Sequence, residues 1–372
     1  MNKNKAKPTF VFPNIDRVDT SLNDLLSRFN SYGEAYSELN IEHNHKIAIV
    51  CGTSNMSNFD HLNYRFLDLH VKEIKKLGLI QFLIYISSLI QTKVINPSIL
   101  IAGDPFRGLF VCRMLRLFKI TSSKIQVSLH GEISSNGFGS SIGPKLRNLI
   151  FRRLVKGVDS LRLVLEDQVA NTHNLFGISS EKIVVAPVPI NLDFIDLVKR
   201  SVDKTIGFVG RLHQERGLDL WIETIEAVKN KNSDFNLIII GDGPLRKDFE
   251  EGVRKIGVPY KFTGRLTQSE LMNEWQNISV LLSTAPAESY GMAMREAVMQ
   301  GCAVVSFKNS GSKDVAMQYP DSVNLFTEVS SGASLIIEAM NNQIDFTVVE
   351  RYRNEFMHLQ KDSINKLVKS WA

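Results

Sequence analysis

Short apolar runs that stop at glycine or proline, each followed by a longer helical pattern, recur along nearly the whole chain, and this alternation admits few folds. Residues 46–51 (KIAIVC) stop at Gly52, residues 98–102 (SILIA) at Gly103-Asp104-Pro105, and residues 125–129 (IQVSL) at His130 and Gly131. Runs at 161–165 and 182–186 follow, before Pro187 and Pro189 interrupt the rhythm. A second series occupies 205–209, 235–240, 260–262, 278–282 and 302–306. Most of these runs are continuously apolar, as strands covered on both faces are, and parallel strands acquire that cover from the helices that connect them. The pattern predicts an α/β protein with parallel sheets.

A chain of 372 residues exceeds one ordinary core and falls short of three, so the two series read as two Rossmann-like domains. The first spans 46–197 and the second 204–347, with a linker near 195–204. Residues 1–45 contain a helical pattern over 21–39 but lack the strand rhythm, and read as an N-terminal extension. Residues 348–372 form a helical pattern ending on Trp371, expected to return and pack on the first domain.

An apolar content of 44% with 22% charged residues excludes disorder, collagen and coiled coil. The longest apolar stretch, 77–90, is interrupted by Gln81, Ser87 and Ser88 and is too short to span a membrane. Lys3, Lys5 and Lys7 are followed by Asp16, Asp19 and Asp24, unlike a secretory signal. Cys51, Cys112 and Cys302 are odd in number, far apart and set among apolar residues, which predicts reduced core thiols in a cytoplasmic protein and no metal site. The net charge of +5 divides into +8 over residues 1–200 and −3 over the rest. Basic clusters lie at Lys72, Lys75 and Lys76; at Arg113, Arg116 and Lys119; and at Lys145, Arg147, Arg152, Arg153 and Lys156. They are either solvated helix faces or a surface for an anionic partner. No nucleic-acid recognition motif accompanies them. With the apolar run 77–90 they allow a peripheral membrane contact; the same run also reads as a core helix.

Five segments of the second domain place small or charged residues just past a strand, where open α/β sheets bind ligands. Gly210-Arg-Leu-His-Gln-Glu-Arg-Gly217 follows the run 205–209; Gly210 permits a tight turn, and Arg211 and Arg216 offer forked, permanently charged donors to a pyrophosphate. Gly241-Asp-Gly-Pro244 and Gly264-Arg265-Leu266 follow the next two runs. In residues 286–301, PAESYGMAMREAVMQG, Glu288 and Tyr290 precede a helix opened by Gly291, Met292 and Ala293, with Glu296 on its first turns. Such a helix start presents free N–H groups and a partial positive charge to phosphate, and carboxylates beside it suit sugar or ribose hydroxyls. Capping by Glu288 and a pair between Glu296 and a neighbouring arginine are the purely structural alternative. Ser310-Gly-Ser-Lys-Asp314 is the fifth segment.

Taken in order over residues 204–320, these segments resemble the donor domain of the family-4, group 1 retaining glycosyltransferases of GT-B fold, with the seven-residue spacing of Glu288 and Glu296 as the signature. The first domain matches in outline only, through Ser128-Leu-His-Gly131 and Val188-Pro-Ile-Asn-Leu-Asp-Phe194. The resemblance implies two Rossmann-like domains, acceptor and donor, facing a central cleft that closes over the ligand. It also implies transfer of a sugar from a nucleoside diphosphate sugar to a sugar, lipid-linked or protein-linked acceptor, with retained anomeric configuration and neither cofactor nor metal. Arg211 and Arg216 would hold the pyrophosphate, and the amides at Gly291, Met292 and Ala293 would assist. Glu296 would take the ribose, Glu288 the donor sugar, and His130 would face it. Gly210, Gly264, Arg265, Leu266 and Tyr290 complete the expected donor site, and polysaccharide or glycoconjugate assembly is the expected setting. Arg216 stands where the family often has lysine, Ser310–Asp314 replaces paired glycines with a glutamate, residues 51–56 lack the usual paired glycines, and Leu165-Glu166 replaces a Ser-Glu pair. A GT-B phosphorylase or epimerase, and a non-catalytic nucleotide-sugar-binding scaffold, are the alternatives.

Overall fold

The computed structural model describes residues 10–15, 22–39, 47–53, 66–73, 78–130, 142–190, 194, 196, 197, 203–342 and 345–371. The chain divides into two compact units, residues 1–189 with 360–372, and residues 190–359.

The first unit runs β1 (Phe10–Ile15), α1 (Leu22–Glu38), β2 (Ile47–Thr53), β3 (Leu67–Glu73), α2 (Gly78–Gln91), β4 (Ile99–Ala102), α3 (Arg107–Leu117), β5 (Lys124–Ser128), α4 (Ile142–Val155), β6 (Ser160–Leu163), α5 (Gln168–Phe176) and β7 (Ile183–Val185). Its seven described strands are parallel, in the order β3-β2-β1-β4-β5-β6-β7. Two of them escape the sequence rhythm. β1 lies in the stretch read as an extension, yet it pairs on one side with β2, Phe12 opposite Ile49, and on the other with β4, Phe10 opposite Ile99. The segment 1–45 therefore supplies an interior strand, concealed by Pro13 and Asn14, residues that strands usually avoid. β3 is concealed by Asp68, His70 and Lys72, polar residues suited to the sheet edge it occupies, where charge discourages pairing with another chain.

Helix α2 carries most of the run 77–90. Phe82 and Ile86 are fully buried among Leu100, Leu109, Cys112 and Phe151, so this is a core helix, with Ile80 and Ile84 left exposed on its outer face. No helix among the described residues is long and apolar enough to cross a membrane.

The second unit contains β8 (Thr205–Val209), α6 (Leu218–Lys231), β9 (Asn236–Ile240), α7 (Arg246–Ile256), β10 (Tyr260–Gly264), α8 (Gln268–Trp275), β11 (Val280–Ser283), α9 (Met292–Met299), β12 (Ala303–Phe307), α10 (Ser310–Gln318), β13 (Val323–Phe326), α11 (Val329–Asn341) and most of α12 (Phe346–Lys369). Its parallel sheet has the order β10-β9-β8-β11-β12-β13. Trp221 of α6 and Phe249 of α7 meet edge to face at 5.3 Å over Phe208 of β8, which fixes both helices against the sheet. Strand order reverses between β8 and β11, and the chain leaves both of these strands on the same edge of the sheet. That crevice is where a doubly wound sheet accepts a ligand.

Helix α12 contributes to both units. Arg353 donates from Nε to Met299 O at 2.7 Å within the second unit. Beyond residue 359 the chain joins the first unit, where Leu367, Val368 and Trp371 enter a cluster with Phe29, Tyr32, Ile47 and Ile99. Trp371 donates from Nε1 to Gln126 Oε1 at 2.8 Å and meets Tyr32 edge-on at 5.7 Å.

Candidate functional site

The crevice between β8 and β11 is formed by residues 210–217 and 284–291, the loops that follow these strands. They are tied together by the Thr284 hydroxyl. Thr284 donates from Oγ1 to Arg216 O at 3.2 Å and to Gly217 O at 3.0 Å. Gly217 is left-handed at φ 62°, and a Cβ there would collide with Thr284 O. Only glycine meets both demands. Arg216 ends the short helical turn Gln214–Arg216. From there its Nη1 lies 2.6 Å from Glu288 Oε2, while Glu288 Oε1 accepts from Ser289 N at 3.1 Å.

The structure thus brings Arg216 and Glu288 together across the crevice, with Gly291, Ala293 and Met294 lining the same small pocket as the pair. Arg211 is placed differently. It is exposed and pairs with Glu215 one helical turn away at 3.0 Å, a surface contact of little energetic weight. Gly210 donates from its N–H to Ile240 O at 3.0 Å and packs against Gly241, whose missing Cβ leaves room for Gly210 O. Gly243 leaves similar room for Leu212 O, so the 241–244 segment supports the 210–217 loop from beneath. Gly264, at φ 74°, offers its carbonyl to Gly241 N at 2.8 Å, and Arg265 and Leu266 follow on the outer side of β9. That bond ties Gly264 to the supporting turn.

Helix α9 starts at Gly291, which has φ 70° and abuts Met294 and Val315. Among the described residues the N–H groups of Gly291, Met292 and Ala293 have no acceptor, since the first bond of the turn runs from Arg295 N to Gly291 O. Glu296, one residue on, is 9% exposed and its carboxyl contacts no cation or donor among the described residues. Burial alone pushes that carboxyl up to about 7. A buried carboxylate can accept from hydroxyl donors, and free amides at a helix start can bind an anion. The expected alternative, a pair between Glu296 and a neighbouring arginine, is not what the structure shows.

That neighbour is Arg295, which no motif in the sequence singles out. It is 1% exposed, donates from Nε to Tyr290 O at 2.9 Å and from Nη1 to Gln318 Oε1 at 2.5 Å, and pairs with Asp314. Its guanidinium stacks 4.1 Å from the centre of the Tyr290 ring. Asp314 belongs to the Ser310–Asp314 segment, which forms the start of α10. Asn309 and Ser312 cap that helix reciprocally, and Gly311 donates to Glu288 O at 2.9 Å with no room for a Cβ. Nothing in the sequence distinguished a buried Arg295 from an exposed one. The pattern Met-Arg-Glu fits a surface arginine equally well.

His130 lies just past β5 in the first unit, exposed and with a bonding partner of its own. Gly131, residues 54–56, residues 191–193, most of the linker 195–204, Lys75, Lys76 and the side chains of Cys51, Lys145 and Arg147 lie outside the described residues. Cys112 and Cys302 are buried free thiols, and burial pushes Cys112 up to about 12, which keeps it protonated. Among the described residues no cluster of histidine, cysteine and carboxylates could hold a metal ion.

The whole fold is that of the GT-B glycosyltransferases. The chain is similar to HepE of Anabaena, solved with UDP and glucose, at a TM-score of 0.73, 14% identity and coverage of 98% of each chain. It is also similar to the S. aureus protein TarM, solved with UDP, at a TM-score of 0.71, 12% identity and coverage of 98% of this chain and 99% of that one. Residues 190–349, the second unit almost entire, match the family model described as glycosyl transferases group 1. The chain is 32% identical over 111 residues to a 2-deoxystreptamine glucosyltransferase of Streptomyces kanamyceticus, covering 29% of each sequence. It is 26% identical over 164 residues to a 2-deoxystreptamine N-acetyl-D-glucosaminyltransferase of Niallia circulans, covering 43% of this chain and 41% of that one. The matched segment spans less than half the length of these curated relatives.

Proposed function

We propose that the protein is a retaining glycosyltransferase that moves a sugar from a nucleoside diphosphate sugar to an acceptor hydroxyl without a metal. The observation that carries this reading is the crevice at the strand-order reversal, where Arg216, Glu288, Gly291 and Ala293 line one small pocket and Gly291 opens the helix that bears the buried, unpaired Glu296. Cleaving a sugar–pyrophosphate bond builds negative charge on the leaving phosphate and positive charge at the anomeric carbon. Arg216 and the α9 amides would take up the first, with Arg211 contributing from the exposed rim of the same loop. The Glu296 carboxylate would accept from the ribose hydroxyls, and Glu288 would contact the donor sugar once the diphosphate draws Arg216 to itself. The leaving phosphate itself would take the acceptor's proton on the same face, which gives retention without a protein nucleophile. Gly210 and Gly264 support the 210–217 loop through Gly241, and Arg265, Leu266 and Tyr290 would complete the donor site.

Lipid-linked or saccharide acceptors, a role in polysaccharide or glycoconjugate assembly, and peripheral attachment to an anionic membrane belong to the same proposal. For attachment the supporting features are exposed Arg152, Arg153 and Lys156 with exposed Leu149 and Ile150 on α4. The test is thermal denaturation with UDP, GDP, ADP and dTDP and their sugars. A ligand at about 100 times its dissociation constant stabilises by about 2.7 kcal/mol. A shift with one base, lost in Arg216→Ala, is expected, followed by sugar transfer from that donor with an unchanged anomeric centre. No shift with any of these nucleotides would overturn the assignment, and inverted product would overturn retention alone.

A further inference from the structure

We propose that Arg295 is a positioning residue for the diphosphate site, one that aims the backbone at the start of α9 without touching the ligand; this rests on the reading above. The argument begins with the peptide between Tyr290 and Gly291. A trans peptide is planar, with its C=O and N–H pointing in opposite directions, so whatever fixes the carbonyl also aims the amide. Arg295 Nε binds Tyr290 O at 2.9 Å from within the protein. The N–H of Gly291 must therefore point away from Arg295, and it has no acceptor among the described residues.

The arginine is itself immobilised. Its other two nitrogens bind Gln318 and Asp314 on α10, and its plane rests on the Tyr290 ring. A forked, planar cation is needed for this: Nε serves the carbonyl while Nη1 and Nη2 serve two separate side chains, which a lysine cannot reproduce. The same α10 start supplies Gly311, whose N–H binds Glu288 O. Arg295 thus couples the two backbone segments that carry Glu288 and the α9 amides to one buried anchor.

The experiment measures binding of UDP, GDP and ADP to the full chain by calorimetry, with the Gly291 amide resonance followed by ¹⁵N NMR. Arg295→Met combined with Asp314→Leu removes both charges together, the replacement that buried pairs tolerate best. With thermal unfolding still cooperative, the affinity of whichever nucleotide binds wild type is expected to fall tenfold or more, and the ligand-induced shift of the Gly291 amide is expected to vanish. Arg295→Lys should not restore either. Should the double variant not fold, Gln318→Leu, which frees Nη1 alone, is expected to lower affinity by a few-fold with a reduced Gly291 shift. Nucleotide affinity and amide shift equal to wild type in a folded variant would overturn the role of Arg295 while leaving the diphosphate site standing. Wild type binding none of the three nucleotides would overturn the reading of the site and this inference with it.

Discussion

At the scale of single residues, the group with the clearest physical signature is Glu296. Its carboxyl is raised from the ordinary 4.5 to about 7 by burial. The folded protein therefore keeps a proton that the unfolded chain gives up, and the slope of stability with pH follows. The contribution is fully present below the unfolded value and is lost as pH climbs through about 7, a difference on the order of 3 kcal/mol. Glu296→Gln should remove this slope, so that the unliganded variant melts above wild type at about pH 8 and close to it at about pH 4.5. Superimposable melting profiles would show that the carboxyl titrates normally. Ribose hydroxyls donate to the ionised form, so nucleotide affinity should rise between about pH 6 and 8 in wild type and stay flat in Glu296→Gln. The two arginines of the 210–217 loop should also separate. Arg216→Ala leaves Glu288 without its partner and removes a cation from the crevice, so a tenfold or greater loss of nucleotide affinity is expected, about 1.4 kcal/mol. Arg211→Ala breaks a pair whose members are 60% and 59% exposed and should cost less affinity and no measurable stability. Equal losses in the two variants, read by calorimetry, would contradict this ranking.

At the scale of elements, the crevice is set by how one loop packs beneath another. Gly241 sits at φ 140° with Gly210 O where a Cβ would be, and Gly217 stands in the same relation to Thr284 O. Gly241→Ala has no flexible neighbour to displace, only backbone, so a loss of several kcal/mol with disturbed nucleotide binding is expected. Denaturant titration that gave a midpoint equal to wild type would show that the loops can part at little cost. The start of α10 depends on Asn309, whose Oδ1 accepts from Ser312 N at 2.8 Å while Nδ2 donates to Ala285 O at 2.9 Å. Asn309→Ala loses the cap and its tether to the β11 loop, for which about 1–2 kcal/mol is expected in the same titration. These glycines were visible in the sequence as loop residues, and Asn309 was not. Their tertiary partners were not, because a collision with a carbonyl from another loop leaves no trace in local spacing.

At the scale of the whole molecule, Trp371 shows how far the fold reaches along the chain. It is 3% exposed, packs with residues of α1, β2 and β4, and bonds Gln126 on β5. Trp371→Ala should destabilise by about 3–5 kcal/mol, measured by denaturation, the usual cost of removing a buried tryptophan. A loss below about 1 kcal/mol would mean that the chain's end frays without consequence. The sequence by itself determined the fold class and most of the second sheet, because strands buried on both faces must be apolar throughout and must end on residues that can turn. It also determined that Arg216, Glu288 and Glu296 follow or flank strand ends, since their spacing is local. Only the tertiary structure decided that Phe10–Ile15 is an interior strand, that Arg216 faces Glu288 while Arg211 faces solvent, and that Arg295 is buried against Asp314 instead of pairing with Glu296. Each of these depends on which distant segment lies alongside. Strand neighbours, buried ion pairs and carbonyl contacts are selected by packing among elements, and no period of 2 or 3.6 residues encodes that choice.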